Sequence, residues 1–416
     1  MKSFFRIISS FIILVAFNTA NADSIKWLHL FGEDSSQYPN MVRAVEEFEA
    51  KTGHTVVMQY LENESFKAKL PTMLQSNDRP DIFYSWGGGV MYDQARAGFL
   101  RDVSSVVPDS YLNTVSAAAA DAFTFEGQRV GLPLQVSQVA WWYNKDLMSQ
   151  AGVDVSQIKM WDDLLGAVKQ IKAAGITPIC MGGKDKWPVH FVWTHLHIRN
   201  GGKGLFLESL NNGGWDRPEY IRSGEQMLEL VELEPFQKGW LAATWPDQAG
   251  FFGDGKCAMA FMGNWMYGAQ ASNSASGEGL ADANMGMFNM PMTSGGIGDS
   301  GDTLGGINGW LFSSTASDAA VELMMHYVSL DIQKEDASNG AYIPIVKGAD
   351  GSLTNPFLQQ VAKNISNSEY HQIFYDQFLG ADIGRVVNDV STDLAAGIIS
   401  AEEATQAVQE AWEFNQ

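Results

Sequence analysis

From residue 24 onward the chain alternates short β-rich runs with longer segments of helical period, and this alternation restricts the fold more than any other feature. A strand-like run at 24–31 precedes a helical pattern at about 39–52. A second run at 55–60 precedes one at 66–76, and a third follows at 81–86. Pro39 suits a first helical turn, where its missing N–H has no partner to lose. Val42, Val45 and Phe48 recur at three-residue steps, and Gly53 stands where a left-handed C-terminal cap belongs. Strands alternating with helices imply βαβ crossovers and a mostly parallel sheet flanked by helices. In such sheets ligands sit beyond the carboxyl ends of the strands. Trp86-Gly87-Gly88-Gly89 lies at one such end.

A second α/β region begins with a strand-like run at 139–143. It continues through helical patterns at 161–174, 189–199 and 220–233 and strands at 176–181 and 257–262. After a Gly- and Met-rich stretch at 277–301, a strand at 306–312 leads into a helix at 317–330. Helical patterns at 388–396 and 401–414 close the chain. At roughly 100 to 200 residues per domain, 416 residues favour two domains. No internal repeat of fixed period is visible. No Ser- or Pro-rich linker separates two halves either, so the two domains are expected to be joined by several short crossings.

The first 22 residues read as an address. Lys2 and Arg6 precede a largely apolar stretch of 11 residues at 7–17, and Ala20-Asn21-Ala22 supplies a small-x-small cleavage pattern. The mature chain is then expected to begin at Asp23, without the cysteine that a lipid anchor would need. The apolar stretch falls short of the roughly 20 residues that span a bilayer. These signals predict export, and the absence of a lipid-anchor cysteine at residue 23 favours a periplasm over a cell surface as the expected compartment. The two cysteines, Cys180 and Cys257, sit in apolar runs, and an oxidising compartment permits a disulfide between them. Two separate buried thiols fit equally well, because sequence does not give the Cα separation a bridge requires. The net charge of −21 repels phosphate backbones and anionic lipids at long range, so no nucleic-acid partner is expected.

Thirteen tryptophans are the most informative side chains, and four of them lie near Gly or Asn at predicted strand ends. Trp86 precedes three glycines. Trp187 follows Gly182-Gly183-Lys184-Asp185-Lys186, while Trp265 and Trp310 close Gly263-Asn264-Trp265 and Asn308-Gly309-Trp310. Indole faces stack on the C–H faces of sugars, and Asn, Asp and Gln hydrogen-bond to paired hydroxyls. Any one of these tryptophans fits core packing as well as stacking. Together they favour a sugar cleft.

Other chemistries leave weaker traces. Neither glycine cluster, at 87–89 or more loosely at 295–306, leads into a helix through Lys and Ser or Thr, so no nucleotide loop is visible. His190, His195 and His197 are spaced by five and two, off a common helical face, and read as packing or surface histidines, with no metal and no cofactor implied. Gly-x-Ser-x-Gly does not occur. Glu33, Asp34, Asp185, Asp302 and Asp382 stand near predicted loops, where a pair of carboxylates could serve glycoside hydrolysis. The plainer reading of each is a solvated acid or a hydroxyl acceptor.

The order of these motifs resembles the maltose-binding-like family of sugar-binding proteins that serve ABC importers. Carrying the resemblance are Thr52-Gly53 after an acidic first helix, Pro80-Asp81-Ile82, Gly131-Leu132-Pro133 and Trp142-Tyr143-Asn144-Lys145-Asp146-Leu147. Gly255-Lys256-Cys257-Ala258-Met259 followed by Gly263-Asn264-Trp265, and Gly305-Gly306-Ile307-Asn308, complete the set. Where the family usually has Ala after Gly-Lys, this chain has Cys257.

The resemblance implies a two-lobed periplasmic binding protein fold with about three hinge crossings, near 131–138, 301–306 and 343–347. An N-terminal lobe of 23–132 plus 305–344 and a C-terminal lobe of 138–300 plus 348–416 follow. Trp86, Trp187, Trp265 and Trp310 then map to cleft-facing loops, with Asn264, Asn308, Asp185 and Gln135 as hydroxyl partners. Glu33 and Asp34 follow the first strand, where the family often places ligand contacts, and Arg385 comes from the C-terminal lobe. The expected partners are a small carbohydrate and the transmembrane subunits of an ABC permease, engaged by a monomer that makes and breaks no bond. A secreted glycoside hydrolase or lyase is one rival. The same fold holding a non-sugar solute is another, and an anionic solute would need a positive cleft, for which Arg385 and Lys186 are the obvious sources.

Overall fold

The computed structural model describes residues 23–416, so the proposed export signal lies outside the described residues. In chain order the elements used below are β1 (Ser24–His29), α1 (Tyr38–Thr52), β2 (Thr55–Tyr60), α2 (Asn63–Leu74), β3 (Ile82–Ser85), α3 (Gly88–Arg96) and β4 (Gly131–Asn144). They continue with α4 (Trp187–Asn212), α5 (Trp245–Gly253), β5 (Met259–Gly263), β6 (Met285–Phe288), β7 (Thr303–Phe312), β8 (Ile343–Pro344), β9 (His371–Ile373) and α6 (Ala381–Ala395).

Among the described residues two large hydrophobic cores form, beside a small cluster of Val115, Ala119, Ala120 and Val346. One gathers side chains between Ile25 and Leu134 together with Trp310 to Tyr342. The other runs from Val139 to Leu304 and from Ala337 to Val408. The strands that join them carry the crossings. The first half of β4 pairs with β7 from Gly131 to Gln138, and its second half pairs with β5 and β6 from Val139 to Asn144. β7 belongs to both sides as well: Thr303 to Gly305 pair with β9, and Gly309 to Phe312 pair with β3. β8 adds a short third pairing at Gln135 and Val136.

This connectivity corrects the expectation of a mostly parallel sheet in each lobe. β1 pairs in parallel with β2 and β3, and β9 with β7. The pairs β3–β7, β4–β7, β4–β5 and β4–β6 are antiparallel. The reason is topological: the chain leaves one core along β4 and returns along β7, so the two strands lying side by side at the hinge must run in opposite directions.

Local signals place the helices. Pro39 stands in the first turn of α1, and Gly53 closes it at φ 76° with its N–H on Glu49 O. The buried face of α1 uses Met41, Ala44, Val45 and Phe48, so Val42 lies off the stripe. α2 starts three residues before the sequence pattern, because the Glu62 carboxylate accepts from the N–H groups of Glu64 and Ser65. α4 extends beyond the expected 189–199 and kinks at Gly202, φ 59°. Every residue from Trp187 to Gly202 is buried, including His190, His195 and His197. Burial holds His197 down at about 3 and lowers His190, whose Nδ1 lies 2.8 Å from Asn388 Oδ1. The predicted strand at 176–181 is reduced to single bridges from Ile179 to Phe236 and Met259. Next to it Cys180 and Cys257 form a disulfide with Cα atoms 5.6 Å apart, which decides the question the sequence left open.

Candidate functional site

Between the two cores lies a cavity of about 520 Å³, within the range of roughly 300 to 1,000 Å³ typical of ligand sites. Its floor is built at the hinge. Gln135 on β4 and Asn308 on β7 are directly paired across the ladder, and Gln135 Nε2 donates to the Tyr84 hydroxyl at 2.9 Å. Burial pushes the Tyr84 hydroxyl well above its ordinary range, against the bonds from Gln135 and Asn308. Asn308 lines the cavity, and its Oδ1 is buried with no partner among the described residues. A buried acceptor without a donor costs about 1 to 3 kcal/mol.

Aromatic walls rise from both sides. The N-terminal side supplies Phe31, Tyr60 and Trp86, with Trp86 set edge-on to Tyr84 at 5.3 Å between ring centres. From the C-terminal side come Trp187, Phe191, Trp245, Trp265 and Phe374. Trp187 lies 5.9 Å from Trp245 and 6.3 Å from Trp265, both tilted, so three indoles share one wall. Its Nε1 donates to Glu64 Oε1 on the opposite side at 3.0 Å. The Lys67 ammonium reaches between the walls, 5.2 Å from the Trp86 ring and 5.4 Å from that of Trp187.

Of the sequence-derived site residues, Asp34, Trp86, Gln135, Trp187, Asn264, Trp265 and Asn308 line this cavity. Asn264 also fixes the hinge: its N–H donates to Gln138 O and its Oδ1 accepts from Gln138 N, each at 3.0 Å. The other four stand elsewhere. Trp310 is fully buried beneath Tyr84, its cross-strand partner, and packs edge-on against Trp27 at 5.1 Å. It lies two residues further along β7 than Asn308, inside the N-terminal core. Asp185 does not line the cavity. Its Oδ2 accepts from Trp245 N at 2.8 Å and so orients the start of α5 and the indole there. Burial raises the Asp185 carboxyl, against the Trp245 N–H, and Glu64 and Glu62 raise it further. Arg385 is exposed on α6, and its guanidinium meets Asp389, which Lys186 also pairs at 2.6 Å. Glu33 is exposed outside the lining.

Sequence reasoning missed Tyr84, Trp245, Phe374, Glu62, Lys67 and Asp376, all of which line the cavity. Two had readable signals. Tyr84 shares a strand face with Trp86 by the two-residue period. Trp245 opens a helix behind a Thr244/Asp247 capping box.

The model of the bacterial extracellular solute-binding protein family matches residues 32–335, almost three quarters of the sequence. The chain belongs to that family. The solute-binding fold is also shared with a solved chitin oligosaccharide binding protein, 23% identical at a TM-score of 0.84 over 94% of this chain and 98% of that one. Among curated proteins, an uncharacterized ABC transporter extracellular-binding protein of Pyrococcus horikoshii is 24% identical over 206 residues, 49% of this chain and 46% of its own length. A multiple sugar-binding protein of Streptococcus mutans is 23% identical over 213 residues, 47% of each. This solute-binding protein thus spans about half the length of the curated relatives it matches. Among its described residues no helix is long and apolar enough to cross a membrane.

Proposed function

We propose that this chain is the capture component of an ABC importer. It takes up a mono- to short oligosaccharide in the interlobe cleft and hands it to the transmembrane subunits of the permease. The observation that carries the reading is the cavity itself, with indoles on both walls above a floor of paired amides, Gln135 and Asn308. That combination stacks on C–H faces and bonds vicinal hydroxyls. The relatives' names, a multiple sugar-binding protein and a chitin oligosaccharide binding protein, support the same class of ligand.

In this reading the protein works as a periplasmic monomer after removal of residues 1–22. The lobes comprise 23–132 with 305–344 and 138–300 with 348–416, moving about β4, β7 and β8. Ligand that bridges the walls stabilises the closed form, and the permease recognises the shift in population. No bond is broken. Of the five acids that the sequence offered for glycoside hydrolysis, Glu33, Asp185, Asp302 and Asp382 do not line the cavity.

The test is a thermal-shift screen of residues 23–416 against mono- and oligosaccharides, with polyamines, amino acids and organic acids as controls. Ligand at about 100 times its Kd adds about 2.7 kcal/mol of stability. The reading expects a rise with one sugar class and intact recovery of the sugar. Loss of the sugar would replace it with a hydrolase, and a response to the controls alone would discard carbohydrate.

A further inference from the structure

Among the described residues, the charged side chains that line the cavity are Asp34, Glu62 and Asp376 against a single cation, Lys67. Lys67 is already engaged. Its ammonium lies close to both the Trp86 and Trp187 rings and 3.6 Å from Glu64 Oε1, and a cation held by two indole faces and a carboxylate is stabilised where it stands. To neutralise an anionic ligand it would have to give up both faces. Lys186 and Arg385 do not line the cavity and converge instead on Asp389.

Glu62 is fixed rather than free, because its Oε2 caps α2 through the N–H groups of Glu64 at 3.0 Å and Ser65 at 3.3 Å. Its negative charge is therefore held at the wall. The protein's own groups register the field: after burial, Glu62 and Asp34 are what push the Tyr60 hydroxyl up at the cavity mouth.

We propose that the cleft selects saccharides bearing no phosphate or carboxylate, with Asp34 and Glu62 as the specificity-determining residues that turn anionic counterparts away. This rests on the carbohydrate reading and narrows it. A phosphate or uronate entering the cavity meets three carboxylates and, among the described residues that line it, no uncommitted cation.

The experiment titrates residues 23–416 calorimetrically with glucose, galactose and N-acetylglucosamine mono- to trisaccharides, beside glucuronate, galacturonate and glucose 6-phosphate. Low salt and about 0.5 M salt are compared. The best neutral saccharide should bind at least about tenfold more tightly than its anionic counterpart at low salt, and the gap should narrow at high salt. In the Asp34→Asn/Glu62→Gln variant, which keeps the amide acceptors, the ratio should move at least threefold toward the anion. Equal or tighter binding of an anionic sugar would overturn the proposal, as would a ratio unmoved in the variant. If none of these saccharides bound, the carbohydrate reading itself would fall and take the proposal with it.

Discussion

The Trp187 indole on α4 donates to Glu64 Oε1 on α2 at 3.0 Å, directly across the cleft. The same oxygen lies 3.6 Å from the Lys67 ammonium, so one carboxylate oxygen ties an aromatic wall of one lobe to a helix of the other. An interlobe bond of this kind contributes only when the lobes are together. Glu64→Ala should therefore weaken ligand binding by about two- to tenfold, the equivalent of 0.5 to 1.5 kcal/mol, measured by titration. Thermal stability of the free protein should change little, since Glu64 is part-exposed.

Trp86 and Trp310 look alike in sequence, each beside glycine at a strand end, yet they should fail differently. Trp86→Ala should weaken saccharide binding at least tenfold, about 1.4 kcal/mol, because it removes a wall of the cavity. Trp310→Ala should instead cost about 3 to 5 kcal/mol of stability, read as a lower denaturation midpoint, because it empties the N-terminal core under Tyr84. Equal effects of the two on binding alone would contradict the placement of Trp310.

Close backbone approach should govern closure at the far edge of the cleft. A Cβ on Gly89 would lie 2.4 Å from Gly380 N and 2.6 Å from Phe378 O, so the first turn of α3 meets residues 378–380 with no room for a side chain. Gly89→Val is expected to hold the lobes apart. Small-angle scattering should then give a larger radius of gyration with ligand, and affinity should fall at least about tenfold.

The Cys180–Cys257 bridge closes a loop with a sequence separation of 77, and both residues are fully buried in the C-terminal core. Replacing both by Ala should lower stability by about 2 to 5 kcal/mol. Because neither cysteine lines the cavity, the ligand profile should keep its order of preference.

Stability should fall as pH drops below neutrality. Burial lowers His29 and His371 to about 4 and His197 to about 3, from 6.5 unfolded. Between those folded values and 6.5 the unfolded chain binds more protons, so these groups contribute stability that is present above about 6.5 and lost toward 4. Asp336, raised by burial to about 6, acts in the opposite sense from 6 down to its unfolded 3.8 and offsets one histidine. Each uncompensated histidine changes stability by about 1.4 kcal/mol per pH unit across its window. Denaturation midpoints measured from pH 7.5 to 4.5 should fall, and His371→Asn should flatten the slope.

Arg385→Ala supplies a negative control, because its side chain is exposed on α6 and bonded to Asp389. Binding should stay within about twofold of the parent, by titration.

Much of this was legible along the chain. Pro39 and Gly53 bound α1 through backbone rules that act over a few residues, and the alternation of strand and helix announced an α/β protein. Motif order carried the family, and of the seven site residues that line the cavity Asp34, Trp86, Asn264 and Trp265 follow strands, where ligands sit in α/β sheets, whereas Gln135 and Asn308 lie within the hinge strands and Trp187 opens α4. Local pattern does not encode strand direction. The antiparallel β4–β7 pair exists because the chain crosses between lobes and comes back, a property of the whole path.

Depth within a lobe was likewise undecided by sequence. Asn308 and Trp310 share a face of β7, and only packing against Tyr84 and Trp27 sets one at the cavity and the other in the core. Contacts between residues 123 apart, such as Glu64 with Trp187, depend on how two separately cored lobes face each other, and no period or spacing reports that. The sequence determined the α/β class and which side chains are candidates for a sugar site. The tertiary structure decided which of them line the cavity, because burial and cross-cleft distance are fixed by packing between segments far apart in the chain.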